Sequence, residues 1–162
     1  MNIESYEVRE WHYDPSSITY RGRYVSNWFS NMQSVSIKGN DGLTYPSVEH
    51  YFQLHKTLDM SLRKSLISLN PYEVKRWAKT LDSLPPDWND GIDTMWDALN
   101  IKWNIPRWNQ LLHSHKEVIV EWNNWRDSKW GVPIPPNYSS EGIGRNILGR
   151  MLMQIRDEVQ SH

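Results

Sequence analysis

The apolar and polar positions change their period part-way along the chain. Residues 5–12 and 18–25 alternate with the period of two that predicts short strands. Val35-Ser36-Ile37 and Leu43-Thr44-Tyr45 flank Lys38-Gly39-Asn40-Asp41-Gly42, which predicts a hairpin with a five-residue loop. From Ser47 the spacing becomes three and four. Ser47 can cap a helix whose apolar stripe is Tyr51, Leu54 and Leu58, with Leu62 next in line. Asn70-Pro71-Tyr72-Glu73 offers a cap, a proline at the first helical position and an acid at the third. It predicts a helix to about Leu81, ahead of Pro85-Pro86. Ile92, Met95, Trp96, Leu99 and Trp103 mark a third helix, and Pro106 to His113 a short fourth. Val118-Ile119-Val120 predicts a strand. Residues 123–142, rich in Asn, Pro, Gly and Ser, are irregular and long for a structureless connection, which favours a functional loop. Ile147, Leu148, Met151, Leu152, Ile155 and Val159 share one face of a final helix. The expectation is an α+β fold: a mainly α-helical single domain over residues 1–162, with a small antiparallel β-sheet near the front.

Composition narrows the function more than the fold. With 38% hydrophobic and 23% charged residues the chain is ordinary for a globular protein, so wholesale disorder is not expected. No apolar run approaches the length of a membrane span, and MNIESYEVRE carries acids without an apolar core, so neither membrane insertion nor a secretory leader is expected. The absence of cysteine excludes disulfides, thiolate metal sites and cysteine nucleophiles, and it suits a reducing, cytoplasmic setting. A net charge of −1 with mixed signs disfavours binding to long nucleic acid by phosphate neutralisation, but a nucleotide-sized ligand needs only one or two local cations. Ten Trp and eight Tyr against two Phe supply stacking surfaces with polar handles, suited to bases and sugars or simply to a core.

At 100° per residue, Glu49, Gln53 and Lys56 form one polar stripe opposite Tyr51, Leu54 and Leu58. Two titratable groups of opposite sign on that stripe can act on one bound sugar, and Glu49 in the first turn meets a helix dipole that favours the carboxylate. The same stripe is what any surface helix shows, so the pattern leaves both readings open. His50 and His55 are five apart, which does not bring two metal ligands together on a helix; no metal site is expected.

Two later stretches carry possible binding chemistry. Asp127-Ser128-Lys129-Trp130-Gly131 sets an acid, an indole and a glycine in the irregular segment. Glu141-Gly142-Ile143-Gly144-Arg145-Asn146 leads into the final helix, where glycines let a ligand approach free N–H groups and the dipole favours an anion such as phosphate. Arg145 offers a bidentate contact there. Neither a Walker loop nor a dinucleotide fingerprint is present.

Taken together these segments resemble the NADAR (YbiA-like) family. The blocks are Phe29-Ser30-Asn31; Tyr45-Pro46-Ser47-Val48-Glu49-His50-Tyr51-Phe52-Gln53-Leu54-His55-Lys56; Glu121 with Asp127-Ser128-Lys129-Trp130-Gly131; and Gly144-Arg145-Asn146-Ile147-Leu148-Gly149-Arg150-Met151-Leu152-Met153-Gln154-Ile155-Arg156. They span about residues 24–158, and four ordered blocks are far more specific than one motif. The chain departs from the family pattern in two places. The segment between Gly131 and Gly144 is longer and richer in proline, which bears on substrate preference. Trp77-Ala78-Lys79 stands where a glycine and an arginine are common, which bears on phosphate contacts.

The resemblance implies a mainly helical fold with a small β part, no metal and no cofactor. It also implies cleavage of an N-glycosidic bond in an ADP-ribose-type or ribosylamino-pyrimidine phosphate substrate, either a nucleotide-like small molecule or ADP-ribosylated guanine in nucleic acid. By motif position Glu49 and Lys56 become the catalytic pair, and Ser30, Asn31, Asp127, Trp130 and Asn146 line the pocket, with Gln53, on the same stripe as the pair, also expected to bind substrate. Breaking such a bond builds positive charge on the sugar, which a carboxylate stabilises. A neutral lysine can attack the anomeric carbon and form a Schiff base, while a charged one would only grip the substrate. The alternative from another class is a module that binds ADP-ribose or a nucleotide without cleaving it.

Overall fold

The computed structural model describes residues 11–13, 29–116, 118–123, 125–133 and 142–160. The chain forms two compact units, Asn31–Ile105 and Met1–Ser30 with Pro106–His162. Strand β1 is Trp11–Tyr13, β2 Ile37–Lys38 and β3 Thr44–Tyr45. Helices α1 (Val48–Leu54), α2 (Met60–Leu66), α3 (Pro71–Ala78) and α4 (Ile92–Trp103) follow, with a 3-10 turn at Asn89–Gly91 before α4. Then come α5 (Pro106–Ser114), β4 (Trp122–Asn123), β5 (Val132–Pro133), β6 (Gly142–Gly144) and α6 (Ile147–Gln160). The fold is α+β and mainly helical, as the periodicity predicts. Its β part is three separate two-stranded pairs among the described residues: β1–β6 and β2–β3 antiparallel, β4–β5 parallel.

The Asn31–Ile105 unit is built around α1. This helix lies against β3, α3 and α4, and all seven of its residues are buried. Glu49 and Gln53 of the expected polar stripe are therefore buried within the unit, while Lys56 lies past the helix end and is half-buried. Ser47 caps α1, its Oγ accepting from His50 N at 3.0 Å. The apolar spacing predicts continuation through Leu58, but the helix ends at Leu54 and Leu58 is 70% exposed. The cause is Arg63. Its Nε donates to the carbonyls of Leu54 (3.1 Å) and Thr57 (2.9 Å), which satisfies groups that another helical turn would otherwise use. Asp59 then starts α2, accepting from Leu62 N at 3.1 Å. The hairpin forms where predicted, and its Asp41 carboxylate pairs with Arg63 Nη1 at 3.0 Å and accepts from the Tyr45 hydroxyl. Helix α3 has both halves of its capping box, but it stops at Ala78, short of Leu81.

In the other unit β1 pairs with β6, Trp11 opposite Gly144 and Tyr13 opposite Gly142. The strand expected over 18–25 lies outside the described residues, and so do residues 5–10 of the one expected over 5–12. Helix α6 buries Ile147, Leu148, Met151, Leu152 and Ile155, and α5, which contributes Trp108 and Leu112, packs on it. The strand expected at Val118-Ile119-Val120 is absent. Ile119 and Val120 are fully buried, but the backbone here bonds to a side chain: Asn146 Nδ2 donates to Ile119 O at 2.9 Å, and Asn146 Oδ1 accepts from Glu121 N at 3.0 Å. Pairing begins two residues later, at Trp122 opposite Val132.

Candidate active site

Of the residues singled out in the sequence, Asn31, Glu49, Gln53 and Lys56 fall in the Asn31–Ile105 unit. Glu49 is 7% exposed, in the first turn of α1, and its N–H donates to the carbonyl of Asn31 at 3.0 Å. One turn on, Gln53 Nε2 donates to Glu49 Oε1 at 2.8 Å. Burial pushes the Glu49 carboxyl above the usual carboxylate range; the hydrogen bond from Gln53 and the charges of Lys75 and Lys56 oppose that rise without cancelling it. The dipole at the helix start acts the same way, so desolvation outweighs everything that favours the carboxylate. Such a carboxyl keeps its proton to higher pH than a surface glutamate does, which suits a group that gives and takes protons.

Lys56 follows the helix, its N–H donating to the carbonyl of Gln53 at 3.1 Å. Its Nζ lies 5.1 Å from the centroid of the Phe52 ring and 5.7 Å from that of Trp88, within reach of both ring faces. Gly91 makes this cage possible. Its φ is +75°, and a Cβ there would stand 2.6 Å from Phe52 Cε2 and 2.8 Å from Trp88 Cζ2. Sequence reasoning passed over Phe52, Trp88 and Gly91. Phe52 reads as one more core aromatic, and the signal for the others was the Trp-Asn-Asp-Gly run ahead of α4.

His50 is oriented rather than reactive. Its Nε2 donates to the carbonyl of Leu69 at 2.7 Å, and Nδ1 is 2.7 Å from Ser47 Oγ. His55 stacks on Tyr51 with ring centroids 4.0 Å apart, and its Nδ1 donates to the carbonyl of Tyr51 at 2.6 Å. No group of three or more His, Cys, Asp or Glu side chains able to hold a metal ion occurs among the described residues.

The remaining expected residues belong to the unit of Met1–Ser30 with Pro106–His162, and two of them are bonded to backbone groups. Asn146 is fully buried, in the left-handed region at φ 49°, with both amide atoms bonded to the backbone of Ile119 and Glu121. The N–H groups around the start of α6 are occupied as well. Arg145 N donates to Ser128 O, Asn146 N to Gly131 O, Ile147 N to Lys129 O and Leu148 N to Trp130 O. The N–H groups at which the sequence places a phosphate are thus bonded to carbonyls of the loop 128–131. Asp127 is the second, its Oδ1 accepting from the N–H groups of Lys129 (2.9 Å) and Trp130 (3.0 Å) and so shaping the turn. Trp130 is half-buried, with Lys129 Nζ 4.8 Å from its ring centroid, and Ser30 is also half-buried.

A family profile described as the NADAR domain matches residues 12–160. The chain belongs to the NADAR family. Among curated NADAR relatives, the chloroplastic riboflavin biosynthesis protein PYRR of Zea mays is 33% identical over 90% of this chain and 27% of its own length. A riboflavin biosynthesis protein of Vibrio vulnificus is 30% identical over 86% of this chain and 36% of its own length. The chain thus spans only about a quarter to a third of these two. The N-glycosidase YbiA of Escherichia coli is 30% identical over 81% of this chain and 80% of its own length. The NMR structure of the E. coli protein YbiA superposes with a TM-score of 0.70 at 27% identity, covering 96% of this chain and 91% of that one. No helix among the described residues is long and apolar enough to cross a membrane.

Proposed function

We propose that the protein is an N-glycosidase that separates a ribosyl phosphate from an amine nitrogen, with Glu49 as general acid and base and Lys56 as covalent nucleophile. The observation that carries this reading is the Glu49 carboxyl, buried at the start of α1, held by Gln53 and raised in proton affinity by burial, with the charge of Lys56 close enough to act on it. In the proposed course Glu49 protonates the ring oxygen while the glycosidic nitrogen's lone pair opens the sugar, leaving a protonated imine at C1. The neutral amine of Lys56 adds to C1. Proton transfer to the glycosidic nitrogen then expels the free amine, and Lys56 is left as an imine. Water adds to that imine, Glu49 taking its proton, and collapse releases the sugar aldehyde and the lysine amine.

The rings of Phe52 and Trp88 attract the ammonium form of Lys56 in the resting protein, so the nucleophile is released when its proton passes to substrate or solvent. The relatives named for riboflavin biosynthesis support a ribosylamino-pyrimidine phosphate as substrate. ADP-ribosylated guanine is the second substrate to assay, because it presents the same kind of bond.

The test is turnover of both substrates with borohydride present. A sugar adduct on Lys56 and on no other lysine, with activity abolished in Glu49→Gln and Lys56→Ala, is the expected result. Loss of activity in Glu49→Gln without any adduct would replace the covalent course by direct attack of water. Near-normal turnover by Glu49→Gln would remove the site assignment altogether.

A further inference from the structure

The Gln53 side chain is 6% exposed, and only one half of its amide is engaged. Nε2 donates to Glu49 Oε1 at 2.8 Å. Glu49 Oε1 accepts this bond whether the carboxyl is ionised or carries its proton on the other oxygen, so the amide faces the same way in both states. The opposite half, the carbonyl Oε1, is buried and has no hydrogen-bond partner among the described residues. Buried carbonyls without a donor are uncommon because water has been given up and nothing replaces it. This one sits beside the carboxyl on which the proposed reaction turns.

Resting on the N-glycosidase reading, we propose that Gln53 Oε1 accepts a hydrogen bond from the 2-hydroxyl of the bound ribosyl unit, and that the site thereby selects ribosyl over 2-deoxyribosyl substrates. One amide joins the two groups: Nε2 holds the Glu49 carboxyl, and a donor on Oε1 would sit on the other arm of the same amide. In the proposed course Glu49 acts on the ring oxygen and on the water that adds to C1, both at the anomeric end of the sugar, and the hydroxyl on the carbon next to C1 is the 2-hydroxyl. The chemistry agrees, since a carbonyl needs a donor. A hydroxyl supplies one, whereas a phosphate or the ring oxygen does not. The bond also strengthens as C1 becomes positive, because the neighbouring hydroxyl becomes more acidic, so it favours the transition state over the bound substrate. Asn31 Oδ1 is likewise buried and without a partner among the described residues, where its amide is held by a single 3.6 Å contact from Nδ2 to Met95 Sδ. Such a contact leaves it free to turn, so the direction of its carbonyl is not fixed as that of Gln53 is.

The experiment compares wild type with Gln53→Met on a matched pair of ribosyl and 2-deoxyribosyl substrates. Dividing the two preferences cancels both the intrinsic reactivity of the sugars and any effect of the substitution on Glu49. The expected result is a preference for the ribosyl substrate that falls about ten- to a hundredfold in the variant. An unchanged ratio in two active, folded proteins overturns the assignment. Calorimetric titration of both proteins with ribose 5-phosphate and 2-deoxyribose 5-phosphate gives a readout that needs no turnover. If wild type cleaves neither substrate, the N-glycosidase reading fails, and the ratio of dissociation constants still decides the role of Gln53. Should Gln53→Met not fold, Gln53→Glu keeps an acceptor in place: retained discrimination supports the proposal, and its loss overturns it.

Discussion

Replacing Lys102 by methionine removes a titration from the interior of the Asn31–Ile105 unit. Lys102 lies on the face of α4 that carries Met95 and Leu99, is 0% exposed, and has its Nζ 4.7 Å from the centroid of the Trp103 ring. Burial pushes its amine from an ordinary 10.5 down to about 7. A gap of about 3.5 between these values, at about 1.4 kcal/mol for each tenfold change in proton affinity, makes the ammonium roughly 5 kcal/mol more costly to bury than the amine. That figure is a ceiling, because water reaching the amine through local opening lowers it. The sign follows from proton counts. Between about pH 7 and pH 10.5 the unfolded chain holds this proton and the folded chain has released it, so stability rises with pH across that window. Below it both states are protonated and the penalty is constant. Urea unfolding of wild type and Lys102→Met at several pH values, taken as a difference, cancels the tyrosines and every other titrating group. The wild type should gain on the variant by a few kcal/mol from neutral to about pH 10. Methionine, of similar volume and without charge, should be the more stable residue at pH 7 and below. A difference that stays level throughout would show that the amine titrates at its ordinary value and that the interior holds the charge without penalty.

Two other substitutions test how the site is supported. Gly91→Ala places a Cβ in a left-handed backbone and against Phe52 and Trp88, so it should cost about 1–3 kcal/mol in stability and, by moving the cage, lower the rate of borohydride trapping at Lys56. An unchanged melting temperature together with unchanged trapping would refute both effects. Asn146→Ala strands the Ile119 carbonyl and the Glu121 N–H, which should cost about 2–4 kcal/mol. It should leave the preference for phosphorylated over bare ribosides as it was, and a selective rise in KM for the phosphorylated form would restore Asn146 to the phosphate site.

Local chemistry was legible wherever one segment decided the outcome. The Asn70-Pro71-Tyr72-Glu73 cap, the five-residue hairpin loop and the apolar face of α6 all depend on residues a few positions apart; the cap and the face from Ile147 to Ile155 formed where the pattern puts them, and the loop one position later, at 39–43. The failures are long-range. Leu58 continues the spacing of α1, but Arg63, nine positions beyond Leu54, takes the helix-end carbonyls, and Asp41 of the hairpin holds Arg63 in place. Ile119 and Val120 have the composition of a strand, but a side-chain amide twenty-seven residues beyond Ile119 takes its carbonyl. Single-sequence periodicity carries no information about such partners.

The same distinction separates candidate residues by how far the fold engages their polar atoms. A motif position shows that a residue type is needed; whether its polar atoms are spent within the fold or left for a ligand depends on hydrogen bonds that no spacing encodes. Asn146 has both amide atoms bonded to the backbone, and Asp127 spends one carboxylate oxygen on two N–H groups. Gln53 is buried too, but among the described residues it commits only its donor, to Glu49. The polar stripe on α1 reads at first as a solvated face. Burial of the whole helix removes that reading, because carrying a carboxyl and an amide into the interior opposes folding unless something else requires them there. A carboxyl held at raised proton affinity beside a carbonyl with no partner among the described residues is an arrangement that chain stability does not explain, and it is the feature on which the proposed proton transfer rests.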